Sequence, residues 1–161
     1  MTSKNDKKTK KRIFWFEDDA HSLIDYCEKL SQEYNISIGA HKDLIEKKRD
    51  DSFELVVLDL MIHEFSFEYK SNKEVKNIRF DGVHWSIIGV EFLKRLRKGE
   101  YELYGFPKNI PVIAATAIVD SPIKESVENM DVDDFLLKPF TIDRLKSSIG
   151  QALKPPNSNE G

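Results

Sequence analysis

Residues 54–60 read ELVVLDL, in which four consecutive apolar residues are followed by Asp59. An apolar run that does not alternate with polar residues is typical of a strand buried on both faces, as in a parallel sheet covered by helices. This segment therefore predicts a central strand that delivers one carboxylate at its carboxyl end.

The segments on either side of this strand alternate between predicted strands and predicted helices. Further strands are predicted at residues 12–16, 36–40, 111–118 and 134–137, and helices at residues 20–34, 41–49 and 88–99, from Ser121 onward, and after the capping residue Thr141. Five strands that alternate with five helices predict an α/β fold with a doubly wound parallel sheet.

Length and composition limit the class of protein. A chain of 161 residues is expected to hold one domain. Its single cysteine, Cys27, excludes an intramolecular disulfide and a cysteine-rich metal cluster, and helical spacing with Leu23, Ile24 and Leu30 predicts that it packs in the core. No apolar run approaches the ~18 residues of a membrane span and no signal peptide is visible, so a cytoplasmic protein is predicted.

Charge is divided unevenly along the chain. Residues 1–12 carry six basic residues and one acidic residue, whereas the other 149 residues carry 19 basic and 27 acidic residues. The acidic balance of the folded part argues against direct DNA binding. Residues 1–11 are expected to form a disordered basic leader, with a weak polyanion contact as the alternative, and residues 154–161 a disordered polar tail.

Polar residues follow four of the predicted strands. They are Glu17, Asp18, Asp19, Asp59, Thr116 and Lys138. In a parallel sheet these positions meet at the carboxyl edge, where ligands bind. Carboxylates brought together there repel each other, and a divalent cation such as Mg²⁺ would offset that repulsion while the ammonium and hydroxyl groups contact phosphoryl oxygens. The alternative is a helix cap with incidental polar residues at strand ends.

Four sequence blocks resemble the signature motifs of a known family. Residues 16–19 (FEDD), 58–61 (LDLM), 115–117 (ATA) and 133–140 (DDFLLKPF) are similar to those of receiver domains from two-component response regulators. The resemblance covers residues 12–153. It implies a flavodoxin-like sheet with strand order 2-1-3-4-5, in which the first and third strands flank the ligand crevice.

The resemblance also implies roles for residues at the carboxyl edge of the sheet. Asp59 would accept a phosphoryl group from a histidine kinase or a phosphotransfer protein. Asp18 and Asp59, with the backbone carbonyl of Met61, would ligate Mg²⁺, and Glu17 would hold the ion through water. The predicted cofactor is therefore Mg²⁺.

The remaining motif residues would bind and sense the phosphoryl group. By the same resemblance, Lys138 would pair with it, Thr116 would move toward it on activation, and Phe135 would follow by changing its rotamer. The peptide bond before Pro139 is a candidate for the cis form. Output would pass through protein binding on a surface that this switch repacks.

One segment departs from the family pattern. The block at residues 88–93 resembles the start of the third helix of the family, but it follows Asp59 only after an insertion at about residues 63–86. Alternating aromatic residues at 65–69 predict one strand of a hairpin, and Ile78 and Phe80, ahead of Asp81-Gly82, predict its partner. His63 stands where the family usually has proline.

Histidines near this insertion raise the question of a zinc site. His63 and His84 flank it, and His21 and His41 lie elsewhere, but their spacing is not that of metal ligands. Surface or packing roles are therefore favoured.

The leading functional prediction is a phosphorylation-dependent signalling switch that assists its own chemistry without being an enzyme. Because only eight residues follow Leu153, it is expected to act alone, with a long-lived phosphoryl group, an unidentified downstream protein target and homodimerisation left open. The alternative is a phosphorylation-independent interaction module that uses the inserted segment. A hydrolase with Asp59 as nucleophile is disfavoured, because aspartate-based phosphatases carry a second acid where this chain has Met61.

Overall fold

The computed structural model describes residues 9–17, 19–39, 48–60, 77–80, 83–86, 88–117 and 121–154. The strands are β1 (Lys11–Phe16), β2 (Tyr34–Gly39), β3 (Leu55–Leu58), β4 (Asn77–Phe80), β5 (Val83–Ser86), β6 (Val112–Thr116) and β7 (Asp134–Leu137). The α-helices are α1 (Ile24–Leu30), α2 (Ile88–Arg97), α3 (Ser121–Glu128) and α4 (Ile142–Ala152). Single turns of 3-10 helix lie at Ala20–Leu23 and Glu102–Tyr104.

Five strands form one parallel sheet in the order β2-β1-β3-β6-β7. Neighbouring strands are aligned in register, with Phe16 opposite Leu58 and Leu58 opposite Ala114. Because β4 and β5 belong to a separate sheet, β6 and β7 are the fourth and fifth strands of the main sheet. The predicted α/β fold and its strand order 2-1-3-4-5 are therefore confirmed. In this order β1 and β3 lie side by side at the centre, so the residues that follow them meet at the same edge.

The central strands are buried on both faces, because successive residues of a strand point to opposite sides of the sheet. In β3, Val56 and Leu58 join a core with α2 and α3, whereas Leu55 and Val57 join a core with α1 and α4. We call these two layers the α2/α3 core and the α1/α4 core. The apolar run at residues 55–58 is explained by this two-sided burial.

Four α-helices lie in the described parts of the chain, rather than the five predicted. Most of the predicted helix at residues 41–49 falls outside the described residues. The predicted cap of the last helix is present, because the Thr141 side chain accepts a hydrogen bond from the backbone N–H of Arg144 at 3.1 Å. None of these described helices combines the length and the apolar character needed to cross a membrane.

The first predicted helix, at residues 20–34, is shorter and starts differently. The Asp19 side chain accepts a hydrogen bond from Ser22 N, and the Ser22 hydroxyl donates to Asp19 O, which shapes a 3-10 turn ahead of α1. A 3-10 turn has three residues per turn, so it shifts the helical face. As a result Ile24, which was expected on the buried stripe, is 48% exposed. Cys27 packs against the α1/α4 core as predicted, and burial raises the pKa of its thiol.

The inserted segment contains a hairpin that differs from the predicted one. β4 pairs antiparallel with β5, with Phe80 opposite Val83, so that only Asp81 and Gly82 separate the strands. In the predicted hairpin, Asp81-Gly82 follows the second strand. In the structure these two residues connect β4 to β5, and an Asp-Gly pair between two strands is a strong signal for such a two-residue turn. The predicted partner strand at residues 65–69 lies outside the described residues. In the described chain, this hairpin forms a sheet separate from the main one.

Candidate functional site

Four of the predicted site residues lie at the carboxyl edge of the main sheet. Glu17 follows β1 directly, Asp59 follows β3, Thr116 is the last residue of β6, and Lys138 follows β7. Backbone hydrogen bonds fix their positions, since Asp59 N donates to Phe16 O at 3.0 Å and Lys138 N donates to Thr116 O at 2.9 Å. The same strand order that buries the apolar residues therefore brings these polar residues together.

The centre of the site is a lysine shared by two buried carboxylates. Lys138 Nζ donates to Glu17 Oε2 at 2.8 Å and to Asp59 Oδ2 at 2.8 Å. Glu17 and Asp59 are each only 5% exposed. Water therefore screens these charges much less than it would on the surface, and the ammonium group holds the two carboxylates within reach of each other.

Among the described residues, the site has one positive charge, on Lys138, for the two carboxylates of Glu17 and Asp59. Burial, followed by the charge of Asp59, raises the pKa of Glu17 to about 8, although Lys138 acts to lower it. Burial also acts to lower the pKa of Lys138, but the attraction of Asp59 and Glu17 outweighs it and raises that pKa. The lysine thus stays charged at neutral pH, while one carboxyl group is left short of compensating charge.

This shortage is what a divalent cation would correct. Carboxylate oxygens are the ligands that Mg²⁺ prefers, and Mg²⁺ needs only one or two of them because it retains water. The described residues do not bring three acidic, histidine or cysteine side chains together into a metal-binding group. Asp18 and Met61, two of the predicted ligands, lie outside the described residues. The described part of the site therefore fits Mg²⁺ by its charge and its donor type.

Thr116 and Phe135 lie on neighbouring strands at different depths. Thr116 is fully buried at the end of β6. Phe135 is half-buried within β7, packs against the α2/α3 core, and lies below Lys124, whose Nζ is 5.5 Å from the ring centroid. The structure thus places Phe135 on the face of the sheet that α3 covers.

The loop after β7 carries Lys138 and is fixed by two features. The Lys138–Pro139 peptide bond is cis, which is the form that the resemblance implied. The Tyr26 hydroxyl donates to Phe140 O at 2.7 Å and ties this loop to α1. The role of Tyr26 is not predictable from the sequence, because a side chain bonded to a backbone oxygen 114 residues away leaves no local pattern.

Gly89 is a second residue whose surroundings were missed. It is the second residue of α2 and lies against the backbone of Asp59 and Leu60. The signal was present, because glycine is a poor helix former and within a helix it often marks a close packing contact.

Comparison with known proteins supports the fold. No protein-family model matches the chain. The transcriptional regulatory protein CrdR of Helicobacter pylori is 25% identical over 142 residues, which are 86% of this chain and 53% of CrdR. This chain therefore spans about half the length of that curated relative.

Solved structures similar to this one include several receiver domains. The response regulator DrrB of Thermotoga maritima has a TM-score of 0.61 at 20% identity, over 90% of this chain and 53% of DrrB. The BeF3-activated DrrB receiver domain has a TM-score of 0.62 at 20% identity, over 91% of this chain and 100% of that domain. The receiver domain of a LuxO repressor protein from Vibrio parahaemolyticus has a TM-score of 0.61 at 22% identity, over 90% of this chain and 91% of that domain. This chain therefore has the receiver-domain fold of response regulators, as its sequence motifs predicted.

Proposed function

We propose that residues 12–153 form a receiver domain that acts as a phosphorylation-dependent signalling switch, with Asp59 as the phosphoacceptor. The observation that carries this proposal is the lysine shared between the buried Glu17 and Asp59 carboxylates at the carboxyl edge of the sheet. This edge is where ligands bind in doubly wound sheets. The similar solved structures, among them a receiver domain described as BeF3-activated, support the same reading.

The donor in this proposal is a phosphohistidine of a histidine kinase or a phosphotransfer protein. A carboxylate oxygen of Asp59 attacks phosphorus, a P–O bond forms, and the P–N bond breaks with its electron pair going to the imidazole, which takes a proton from water. The product is an acyl phosphate on Asp59. The reaction depends on alignment and on neutralisation of charge, because phosphoryl transfer requires little other covalent chemistry.

Lys138 and Thr116 would handle the charge of the phosphoryl group. Lys138 Nζ already contacts the attacking carboxylate, so a small movement brings it to a phosphoryl oxygen as negative charge accumulates. Thr116, at the end of the neighbouring strand, would supply a hydroxyl donor. Phe135 would then respond on the α3 side, which links phosphorylation to a surface that binds a downstream protein.

The Mg²⁺ ion in this proposal would be held by Asp18, Asp59 and the Met61 carbonyl, with Glu17 acting through water. When bound, it supplies positive charge to the phosphoryl oxygens. Glu17 has a separate task, which is to share Lys138 with Asp59 and so keep the lysine in place before transfer.

The proposed protein works in the cytoplasm and transmits its signal by protein binding. The similarity to CrdR, a transcriptional regulatory protein, extends over about half of that protein. Direct DNA binding forms no part of this proposal, because residues 13–161 carry 19 basic and 27 acidic residues, and a homodimer is compatible with it.

The second candidate is a phosphorylation-independent interaction module. It is favoured by one observation, the separate β4–β5 hairpin that interrupts the chain between β3 and α2. In that case the hairpin would bind a partner whether or not Asp59 is modified.

Intact mass after incubation with acetyl phosphate and Mg²⁺ tests the proposal. We expect the native protein to gain about 80 Da, the mass of one phosphoryl group, and Asp59→Asn to gain nothing. Chelation of Mg²⁺ should suppress the gain, and the product should survive for much longer than seconds. A native protein that gains no mass from any phosphodonor would contradict the proposed switch and leave the interaction module.

A titration with beryllofluoride, a stable mimic of the phosphoryl group, separates the two candidates further. The readout is the backbone amide NMR signals of residues 112–117. For the native protein we expect these signals to shift until binding saturates, and only with Mg²⁺ present; for Asp59→Ala we expect no shift. If the protein is a phosphorylation-independent interaction module, beryllofluoride should shift the NMR signals of neither protein.

A further inference from the structure

Gly89 makes a contact that only glycine can make. A Cβ atom built on Gly89 would overlap the carbonyl oxygen of Asp59 and would lie 2.6 Å from the Cα of Leu60 and 3.0 Å from the carbonyl carbon of Asp59. All three atoms belong to the backbone, so no change of rotamer can relieve the overlap. The first turn of α2 thus lies directly against the chain that carries the phosphoacceptor.

The same face of the helix is packed against the sheet. Phe92, three residues after Gly89, stacks on Phe16 with ring centroids 4.4 Å apart and on Tyr101 at 5.1 Å. Leu93 and Leu96 are fully buried in the α2/α3 core. A side chain at residue 89 would therefore either displace the Asp59–Leu60 backbone or pull these buried side chains out of their contacts.

We propose that Gly89 is a positioning residue for Asp59, whose missing side chain lets α2 lie directly against the Asp59 backbone and support it. On the β1 side, Asp59 N donates to Phe16 O at 3.0 Å. The backbone of the phosphoacceptor is thus fixed between a strand and a helix. Its carboxylate is held where Lys138 Nζ reaches it at 2.8 Å, and in-line transfer is sensitive to displacements of about 1 Å.

Gly150 provides a matched control. It also lies within a helix, α4, but a Cβ atom built there meets nothing within 4 Å. Replacement by alanine is therefore free of overlap, and alanine favours the helix over glycine. The same chemical change should thus damage the site at residue 89 and stabilise the protein at residue 150.

This inference rests on the proposed phosphorylation of Asp59. The experiment compares the native protein, Gly89→Ala, Gly150→Ala and the double variant. The rate of mass gain from acetyl phosphate is measured at saturating Mg²⁺ and at a temperature where circular dichroism shows all four proteins folded. We expect Gly89→Ala to react at least 10-fold more slowly and Gly150→Ala to react at the native rate.

The double variant separates positioning from stability. We expect Gly150→Ala to recover part of the thermal midpoint that Gly89→Ala loses, while the rate of the double variant stays at least 10-fold low. A rate that recovers together with the midpoint, or a Gly89→Ala protein that reacts at the native rate, would overturn the positioning role alone. A native protein that is never phosphorylated would overturn the proposed function and this inference together.

Discussion

Two carboxylate sites at opposite ends of the sheet differ in how completely they are compensated. At the amino end of β7, Asp134 accepts hydrogen bonds from Arg144, the Ser148 hydroxyl at 2.7 Å and the Phe135 backbone N–H at 2.8 Å. At the carboxyl edge, Glu17 and Asp59 divide one ammonium group between them. Asp134 thus has a cation of its own, whereas Glu17 and Asp59 share one lysine.

The pKa values follow this difference. Burial acts to raise the pKa of Asp134, but hydrogen bonds from Arg144 and Ser148 outweigh it and hold the pKa below its usual value. Burial and the charge of Asp59 raise that of Glu17 to about 8. A carboxylate with its own cation stabilises the fold, whereas two buried carboxylates that share one cation, one of them with a strongly raised pKa, are typical of a functional site.

Removing the cationic side chain from each site should show most clearly which site serves phosphorylation and which serves stability. Lys138→Met leaves two carboxylates together and removes the donor for the phosphoryl group, so we expect phosphorylation by acetyl phosphate to slow about 100-fold. Arg144→Met removes the cation beside Asp134, and its phosphorylation rate should stay within about twofold of native. Initial rates of mass gain at saturating Mg²⁺ measure both. Equal losses in the two variants would mean that the sites do not differ as described.

The dependence of stability on pH should have a characteristic sign at the carboxyl edge. The pKa of Glu17 is raised in the folded protein from its usual 4.5 to about 8, so the folded state binds this proton more tightly than the unfolded chain does. The resulting stabilisation is complete below pH 4.5 and is lost as the pH rises through about 8. We expect urea unfolding without Mg²⁺ to show this decline in the native protein and to show it much reduced in Glu17→Gln.

Asp134 provides the control for that experiment, because its pKa is shifted in the opposite direction. A lowered pKa stabilises the fold above the usual value of 3.8, and this contribution is lost as the pH falls below it. The decline toward pH 8 should therefore persist in Asp134→Asn. If Asp134→Asn abolished it, Glu17 would not be its source.

The smallest expected effect is at Ser148. Its hydroxyl group, almost fully buried, donates to Asp134 Oδ2 at 2.7 Å. Ser148→Ala should lower the free energy of unfolding by about 1–2 kcal/mol, since one hydrogen bond to a charged group is lost. Chemical denaturation measures this loss, and the phosphorylation rate should not change. A slower rate would show that Asp134 and Asp59 are coupled through the sheet.

The sequence predicted the sheet and much of the carboxylate site because both depend on short local patterns. Unbroken apolar runs identified the central strands, and the residue after each strand reached the same edge. This is why Glu17, Asp59 and Lys138 were found before any distance was known. The cis bond before Pro139 followed from resemblance to a family rather than from any such pattern.

Features that depend on particular hydrogen bonds, turns or backbone contacts, rather than on apolar runs, were not predicted. The exposure of Ile24 follows from a 3-10 turn set by two hydrogen bonds between Asp19 and Ser22. The pairing of β4 with β5 was not predicted, although Asp81-Gly82 between them is a turn signal, and the predicted strand at residues 65–69 lies outside the described residues. The contact of Gly89 with Asp59 joins two backbones, and such a contact leaves no periodicity to detect.

The pairing of β3 with β6 bears on how the chain folds. Val56 pairs with Val112, so these two strands come together although more than fifty residues, including the whole inserted segment, lie between them in the chain. The entropy lost on closing a flexible loop grows only with the logarithm of its length, and doubling the loop costs about 0.6 kcal/mol. An insertion that contains the β4–β5 hairpin can therefore be accommodated between β3 and β6 at a small entropic cost to equilibrium stability.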